Sequence, residues 1–454
     1  MSRPPEPVEP LAAPPPHGVA EGPVPAEPLS LWAGYGVEVE FMIVDADSLD
    51  VRPVADRLFD AVAQGADGAG EEDDPEPGGD DPVVEGVGWS NELALHVLEL
   101  KTPGPVPGLS GLAEAFARSL ERAEELLEPW GCAVLPGAVH PWMDPVREFR
   151  IWPREYTEVY RTFDRIFGCR GHGWANLQST HLNLPFHGDE EFGLLHEAVR
   201  CVLPLIPALT AASPILDGRV TGALDSRLLA YRDNARRVPQ VTGSVVPEAV
   251  DSRTAYHRIV LEPIYQALEP LDPDGVLRHE WVNARGAIAR FDRGSIEIRV
   301  VDAQEGPVAD LAVVAAVAGV VRRAAEVLEA EPELRGRWAT DPLADLLDRT
   351  AQVGRRARPE RLEYRALLGL EHPVGDAGEI WGGLLEEVGL LESGGEWQPA
   401  LRAFVDHGSL AERLLAELSL RRGAHRGDEV PRPRLRDVWR RLQEGLGRRE
   451  VFGP

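Results

Sequence analysis

The chain has 454 residues, 43% of them hydrophobic, which is enough apolar material for a large core. Its formal net charge of −28 argues against nucleic acid or an anionic membrane surface as a partner. Lys101, the only lysine, lies in "ELKTPGP" rather than in a glycine-rich loop, which excludes a P-loop and a kinase-type phosphate lysine. A bound nucleotide would therefore need arginines and metal ions held by carboxylates.

Cysteine spacing and hydropathy indicate a cytoplasmic protein. The three cysteines are widely spaced and form neither a zinc nor a thioredoxin pattern, as in a reduced compartment. The longest apolar run, 311–321, is shorter than the roughly 20 residues that a bilayer demands, so it predicts a buried helix. No basic region followed by an apolar core marks a secretory signal at the N-terminus.

Composition divides the chain into one domain and two polar segments. Residues 1–29 are dense in proline, alanine and glutamate and predict a disordered tail. Residues 65–82 predict a flexible acidic loop of the same kind. Because no repeat or linker is visible, residues 30–447 are expected to form a single domain that is mainly helical over 308–447.

The first predicted strand, "YGVEVEFMIVD" (35–45), carries two acids on one face. Alternation directs Val37, Val39 and Phe41 to one side and Glu38 and Glu40 to the other. Two carboxylates about 7 Å apart repel each other unless water screens them or a cation lies between them. The outer face of this strand is therefore either solvated or lined with metal ligands.

The next elements are a helix near 53–63, a strand within "NELALHVLELKTP" and a helix within 109–131. The odd separation of Glu92 and Glu99 places them on opposite faces, unless a bulge intervenes or Glu92 lies in the loop before the strand. Ser110 is the expected N-cap of the 109–131 helix, and Gly131 is its expected stop.

Two later strands also place ligand-type side chains on one face. In "STHLNLPF" His181 and Asn183 share a face, and in "GSIEIRVVDAQ" (294–304) Glu297 and Arg299 share one. Between these strands, 212–237 is expected to be a long, arginine-rich polar loop. A short strand in 132–141, a helix over 154–166 and a long helix over 189–214 complete the predicted elements.

Each polar feature has a structural explanation when it is taken alone. A single strand histidine is usually structural, a Glu–Arg pair is usually a surface ion pair, and an arginine-rich loop is usually solvated. A merely wet sheet face would carry threonine, lysine, serine and glutamine, whereas these strands offer carboxylates, one imidazole and one arginine. We therefore predict an α+β fold in which an antiparallel sheet, packed with helices, binds Mg²⁺ or Mn²⁺ together with ATP.

Four segments in this order resemble the glutamate–cysteine ligase type 2 family, also called carboxylate–amine ligases. The segments are "GVEVEFMIVD", "ELALHVLELKTP", "SPILDGRVTGALDSRLL" and "DRGSIEIRVVDAQ", and the resemblance covers roughly residues 34–330. It implies a glutamine-synthetase-like fold, in which a curved antiparallel sheet forms a funnel for ATP, metal ions and an amino acid. Active members join glutamate to cysteine through a γ-glutamyl phosphate.

The resemblance also implies roles for individual residues. The implied metal ligands are Glu38, Glu40, Glu92, Glu99, His181 and Glu297. The implied catalytic arginines are Arg299, which would stabilise phosphate, and Arg227, which follows T-G-x-x-x-S-R and would bind substrate or phosphate. Asn183 and Arg232 are the residues expected to bind the nucleotide. The chain departs from the family at "STHLNLPF", because many members have a second histidine where this chain has Asn183.

The expected function is ATP-dependent ligation of glutamate to an amine, most simply cysteine. Another carboxylate–amine ligase, acting on a different amine or a protein tail, stays open at this point. So do a metal-dependent hydrolase and a binding protein without turnover. The partners are expected to be small molecules, with no nucleic acid and no membrane, and the sequence leaves the amine acceptor and the oligomeric state open.

Overall fold

The computed structural model describes residues 28–66, 81–360, 362–370, 375–420 and 425–453. The predicted tail (1–29) and acidic loop (65–82) lie outside the described residues except at their edges.

One antiparallel sheet of eight strands is the centre of the fold. Seven strands lie in the order β2-β3-β4-β1-β6-β10-β9, and β5 pairs with the far half of β1. A two-stranded hairpin, β7–β8, is separate. The strands are β1 (Gly36–Asp45), β2 (Val83–Val84), β3 (Val87–Asn91), β4 (Val97–Lys101), β5 (Cys132–Leu135), β6 (Ser179–Pro185), β7 (Ile215–Leu216), β8 (Arg219–Val220), β9 (Ala287–Arg290) and β10 (Ser295–Asp302).

Sixteen α-helices among the described residues surround this sheet, which confirms the α+β prediction. They are α1 (Ala55–Ala66), α2 (Leu112–Leu127), α3 (Pro145–Glu148), α4 (Thr157–Phe167), α5 (His172–Ala175), α6 (Gly188–Val202), α7 (Ile206–Thr210), α8 (Ser226–Asp233), α9 (Arg253–Tyr256), α10 (Glu262–Leu268), α11 (Pro307–Ala330), α12 (Thr340–Val353), α13 (Ala377–Glu387), α14 (Gln398–His407), α15 (Leu410–Glu417) and α16 (Arg432–Arg448).

One face of the sheet packs on the long helices α6 and α11. The apolar side chains of β1 on this face, Val37, Val39, Phe41 and Ile43, are at most 1% exposed. Each such burial stabilises the fold by about 2 kcal/mol. The apolar run 311–321 lies in α11 and is buried, as predicted.

The opposite face is only half covered. A second apolar cluster, with contributions from α15 and α16, buries Met42 and Val44 at the far end of β1. Glu38 and Glu40 lie on the half of this face that the cluster leaves open. The outer face of the strand is therefore acidic in its first half and apolar in its second half, which explains why this face is not simply solvated.

Helix ends differ from the sequence prediction in two places. The N-cap of α2 is Gly111 with a φ of 79°, whereas the hydroxyl of Ser110 donates a hydrogen bond to Glu396 2.7 Å away. The predicted helix over 189–214 divides into α6, a 3₁₀ turn and α7. Pro204 and Pro207 lie at this division, where each lacks the N–H that a continuous helix needs.

The segment 212–237 is not the long polar loop that its composition predicts. It contains the β7–β8 hairpin and helix α8. Asp225 caps α8 by accepting a hydrogen bond from the N–H of Leu228 at 2.7 Å. Packing of α8 against α5 and α12 outweighs the polar composition.

One helical stretch, Gly188–Thr210, is long and apolar enough to cross a bilayer by length and composition alone. In the structure 94% of its most apolar window is buried inside the protein, so it reads as a core element.

Candidate active site

The open half of the sheet face is the floor of a cavity of about 310 Å³. Eight of the ten residues predicted for the site line this cavity. They are Glu38, Glu40, Glu92, Glu99, His181, Arg227, Glu297 and Arg299.

Strand register brings the acidic side chains together. Glu40 on β1 lies directly opposite Glu99 on β4, and on the other side of β1 Glu38 lies opposite His181 on β6. Directly opposed residues have Cβ atoms about 4.5–5.5 Å apart, which is close enough for their carboxylates to share an ion. His181 Nδ1 is 3.0 Å from Glu38 Oε2, and the side-chain amide of Asn183 donates to Glu38 Oε1 at 3.2 Å.

Glu92 reaches the same cavity from outside the strand. Glu92 follows β3 immediately, in the connection to β4. A position in this loop is one of the two arrangements that let Glu92 and Glu99 share a site despite their odd separation. The hydroxyl of Ser90, the last but one residue of β3, donates to Glu99 Oε1 at 2.5 Å.

Two overlapping groups of side chains have metal-binding spacing. One is Glu38, Glu99 and His181, and the other is Glu40, Glu92 and Glu99; within each group the ligand atoms lie within 4.8 Å of one another. Carboxylate oxygens with one imidazole fit Mg²⁺ or Mn²⁺. Among the described residues, Glu297 belongs to neither group.

Charge crowding in the cavity is visible in the pKa values of its acids. Burial, with the charges of Glu38 and Glu92, raises the pKa of Glu99 well above its ordinary value. Burial and the charge of Glu40 raise the pKa of Glu92 to about 7. A divalent cation would offset this like-charge repulsion, so the donor set fits a metal ion.

Glu38 and His181 form a charged pair within this cluster of acids. Burial opposes ionisation of Glu38, but the hydrogen bond and charge of His181 hold the pKa of Glu38 well below its ordinary value. Burial likewise disfavours the imidazolium, yet the hydrogen bond that His181 donates to Glu38 and the charge of Glu40 raise the pKa of His181.

Strand β10 contributes a second charged pair to the cavity. Arg299 Nε donates to Glu297, whose other carboxylate oxygen is 3.7 Å from Nη1 of Arg290 on β9. The carboxylate of Glu297 is therefore shared between two guanidinium groups. Burial opposes both charges, but Arg299 keeps the pKa of Glu297 below its ordinary value.

A β-bulge in β10 positions Arg227. Ile298 pairs with Leu182 and Val301 pairs with Thr180, so β10 has one extra residue between them. The bulge brings Asp302, five residues after Glu297, to the same face of the sheet. Asp302 accepts from Nε of Arg227 and also from Ala212 N–H at 2.7 Å and the Ser213 hydroxyl at 3.0 Å.

Two predicted residues lie outside the cavity lining. Asn183 is one hydrogen bond away, behind Glu38. Arg232 is turned away, because α8 directs it to an exposed ion pair with Asp348 on α12 at 2.5 Å. The nucleotide-binding role expected of Arg232 stays a prediction.

Several residues of the cavity lining were not among those predicted for the site. Lys101 lies on the cavity face two residues after Glu99, so strand alternation alone would have found it. Arg290 and Arg293 also line the cavity. Aromatic side chains form another part of the wall, where Phe163 and Trp174 have ring centroids 5.3 Å apart, and no local pattern marked them.

Comparison with known proteins places these features in one family. The model of glutamate–cysteine ligase family 2 matches residues 35–433. A protein of Archaeoglobus fulgidus, itself of uncharacterized function, is 30% identical over 361 residues, which are 80% of this chain and 87% of that protein.

Two solved structures share the fold at 14% sequence identity. A glutamate–cysteine ligase from Francisella tularensis, in complex with AMP, matches 91% of this chain and 88% of its own with a TM-score of 0.52. A bifunctional glutathione synthetase from Pasteurella multocida matches 91% of this chain with a TM-score of 0.55, and this chain spans about half (52%) of its length. The predicted glutamine-synthetase-like architecture is thereby confirmed.

Proposed function

Because the chain belongs to glutamate–cysteine ligase family 2, we propose that it is an ATP-dependent ligase joining the γ-carboxylate of glutamate to an amine. Cysteine is the first acceptor to test. The observation that carries the proposal is the convergence of acids from β1 and β4, His181 from β6 and two arginines on one cavity. The AMP held by the Francisella enzyme of the same fold supports nucleotide binding by this chain.

The cation in this proposal is Mg²⁺ or Mn²⁺. The two groups that share Glu99 would hold it, and when bound it supplies positive charge for the phosphates of ATP. The crowded carboxylates support this assignment, since burial and the charges of neighbouring acids raise their pKa values and a cation would favour their ionised forms.

The proposed reaction has two bond exchanges. An oxygen of the glutamate γ-carboxylate bonds to the γ-phosphorus of ATP and ADP leaves. The amine nitrogen then bonds to the acyl carbon, phosphate leaves, and the amine loses a proton to water. No cysteine or serine nucleophile is needed, which suits a cavity of acids and arginines.

The two arginines have separate tasks in this reaction. Arg299 is oriented by Glu297 and would stabilise the charge that develops on the transferred phosphoryl group. Arg227 is held by Asp302 at the neighbouring end of the cavity and would bind the phosphate or a substrate carboxylate. A cytoplasmic location, where ATP and reduced thiols are available, fits this proposal.

The proposal is tested by incubating the protein with ATP, Mg²⁺ and glutamate against a panel of amines that includes cysteine. We expect ADP release that requires both glutamate and one amine of the panel, with the amide as product. Cleavage of a γ-glutamyl amide without ATP would instead identify a hydrolase. Nucleotide binding without turnover on any amine would indicate a binding protein.

A further inference from the structure

Lys101 is a cation that neither the motifs nor the proposed reaction assigns to a task. It is the only lysine among 454 residues, and its side chain is 17% exposed in the cavity. Lysine is rarely buried to this degree unless its ammonium is paired. Its position on β4, directly opposite Glu38 on one side and Gly88 on the other, fixes where the side chain starts.

The aliphatic stem of the Lys101 side chain passes over Gly88. A Cβ atom at position 88 would lie 3.3 Å from Cγ and 3.8 Å from Cε of Lys101. The stem therefore lies across β3 at the point where that strand has no side chain. The missing side chain at position 88 leaves the space that this stem occupies.

The ammonium of Lys101 ends on Asp81, which precedes β2 and also lines the cavity. Asp81 is 18% exposed and belongs to neither metal-binding group. Arg293, from the β9–β10 turn, lines the same cavity. The ammonium of Lys101 is thus paired, inside the cavity, with the carboxylate of a residue that lies outside the sheet.

We propose that Lys101 binds an anionic group of a substrate, a phosphate of ATP or a carboxylate of the amino acid, and that Asp81 occupies this position until the substrate displaces it. A phosphate and a carboxylate both suit a lysine, which recognises them as a point charge. The inference rests on the ligase proposal only for the identity of the two candidate anions.

The unique lysine allows a direct footprint of this contact. An amine-acetylating reagent can modify only Lys101 and the N-terminal amine, and the latter serves as the internal reference. We expect ATP with Mg²⁺, or glutamate, to slow acetylation of Lys101 at least fivefold relative to the N-terminus, and the ligand that does so identifies the anion. Equal rates with and without both ligands would overturn the inference.

Two substitutions separate binding from a structural ion pair. Lys101→Met should raise the Kd of the protecting ligand at least tenfold, and Lys101→Arg should restore much of the affinity. Asp81→Asn should lower the same Kd, because it removes the competing carboxylate. If the pair were structural, both changes would weaken binding together, and that result would reject the proposal.

A matched pair outside the cavity controls for loss of charge. Arg323 and Glu387 form an ion pair at 2.9 Å, and Arg323→Met and Glu387→Gln should leave the Kd unchanged. Binding and labelling need no turnover, so the two proposals fail separately. Protection without ligation would spare the role of Lys101, whereas ligation without protection would reject it and leave the ligase proposal standing.

Discussion

At the scale of single residues, Glu38 has a side-chain partner at each of its carboxylate oxygens. One of its oxygens faces His181, the other accepts from Asn183, and its side chain is 16% exposed. The apolar packing of β1 lies on the opposite face. The carboxylate is therefore available for binding without being needed for the core.

We predict that Glu38→Gln lowers ATP turnover about 100-fold or more, because it removes a charged ligand from the cation site. The fold should stay intact, as measured by circular dichroism and thermal unfolding. A variant that unfolds would mean that the carboxylate is structural and that the site is wrongly assigned.

In the proposed phosphoryl transfer, we expect the charge of Arg299 to matter most. Arg299→Ala should lower kcat about 100-fold while raising the Kd of ATP far less, since the guanidinium stabilises charge that develops in the transition state. Single-turnover kinetics and nucleotide titration measure the two effects separately. An unchanged kcat would reject this role.

At the scale of the element, the bulge in β10 decides which side chains of that strand reach the cavity. Alternation alone places Glu297 and Asp302 on opposite faces, whereas the extra residue between Ile298 and Val301 brings both to one face. Asp302 then holds Arg227, which comes from α8. The bulge in β10 and the first turn of α8 thus together position the guanidinium of Arg227.

If Asp302 acts through Arg227, their substitutions should not be additive in kcat. Asp302→Asn alone should lower kcat about tenfold, whereas in an Arg227→Ala background it should have little further effect. Additive losses in the double variant would show that Asp302 acts independently of Arg227. Circular dichroism of each variant controls for misfolding.

This element also shows what a sequence can and cannot predict. Period-2 alternation found Glu38 with Glu40, His181 with Asn183, and Glu297 with Arg299, because these strands are regular there and one face is buried. It could not find Asp302, since a bulge leaves no mark in the pattern. Composition was a poor guide to 212–237, because tertiary packing turned part of this arginine-rich segment into the β7–β8 hairpin and helix α8.

At the scale of the whole molecule, buried neutral histidines make stability depend on pH. His196 on α6 is 1% exposed, and among the described residues neither of its ring nitrogens has a hydrogen-bond partner. Burial, with the charges of Arg200 and Arg285, lowers the pKa of His196 to about 3. The folded state therefore resists protonation that the unfolded chain accepts below a pKa of about 6.5.

The direction in which stability changes with pH follows from the difference between the pKa values of His196 in the folded and unfolded states. The contribution of a neutral His196 is complete above pH 6.5 and is lost as the pH falls toward about 3. Between pH 7 and pH 5, His196→Leu should lose about 2 kcal/mol less unfolding free energy than the unmodified protein. Urea unfolding at both pH values measures the difference, and identical losses would mean that His196 has the same pKa in the folded and unfolded states.

The central claim is that carboxylates from separate strands hold a divalent cation beside ATP, and Glu99 belongs to both candidate groups. The most direct measurement is a titration of the protein with Mn²⁺, followed by electron paramagnetic resonance, with and without a non-hydrolysable ATP analogue. We predict tight Mn²⁺ binding that strengthens with nucleotide and weakens at least tenfold in Glu99→Gln. Mn²⁺ affinity that is the same in both proteins would contradict the account.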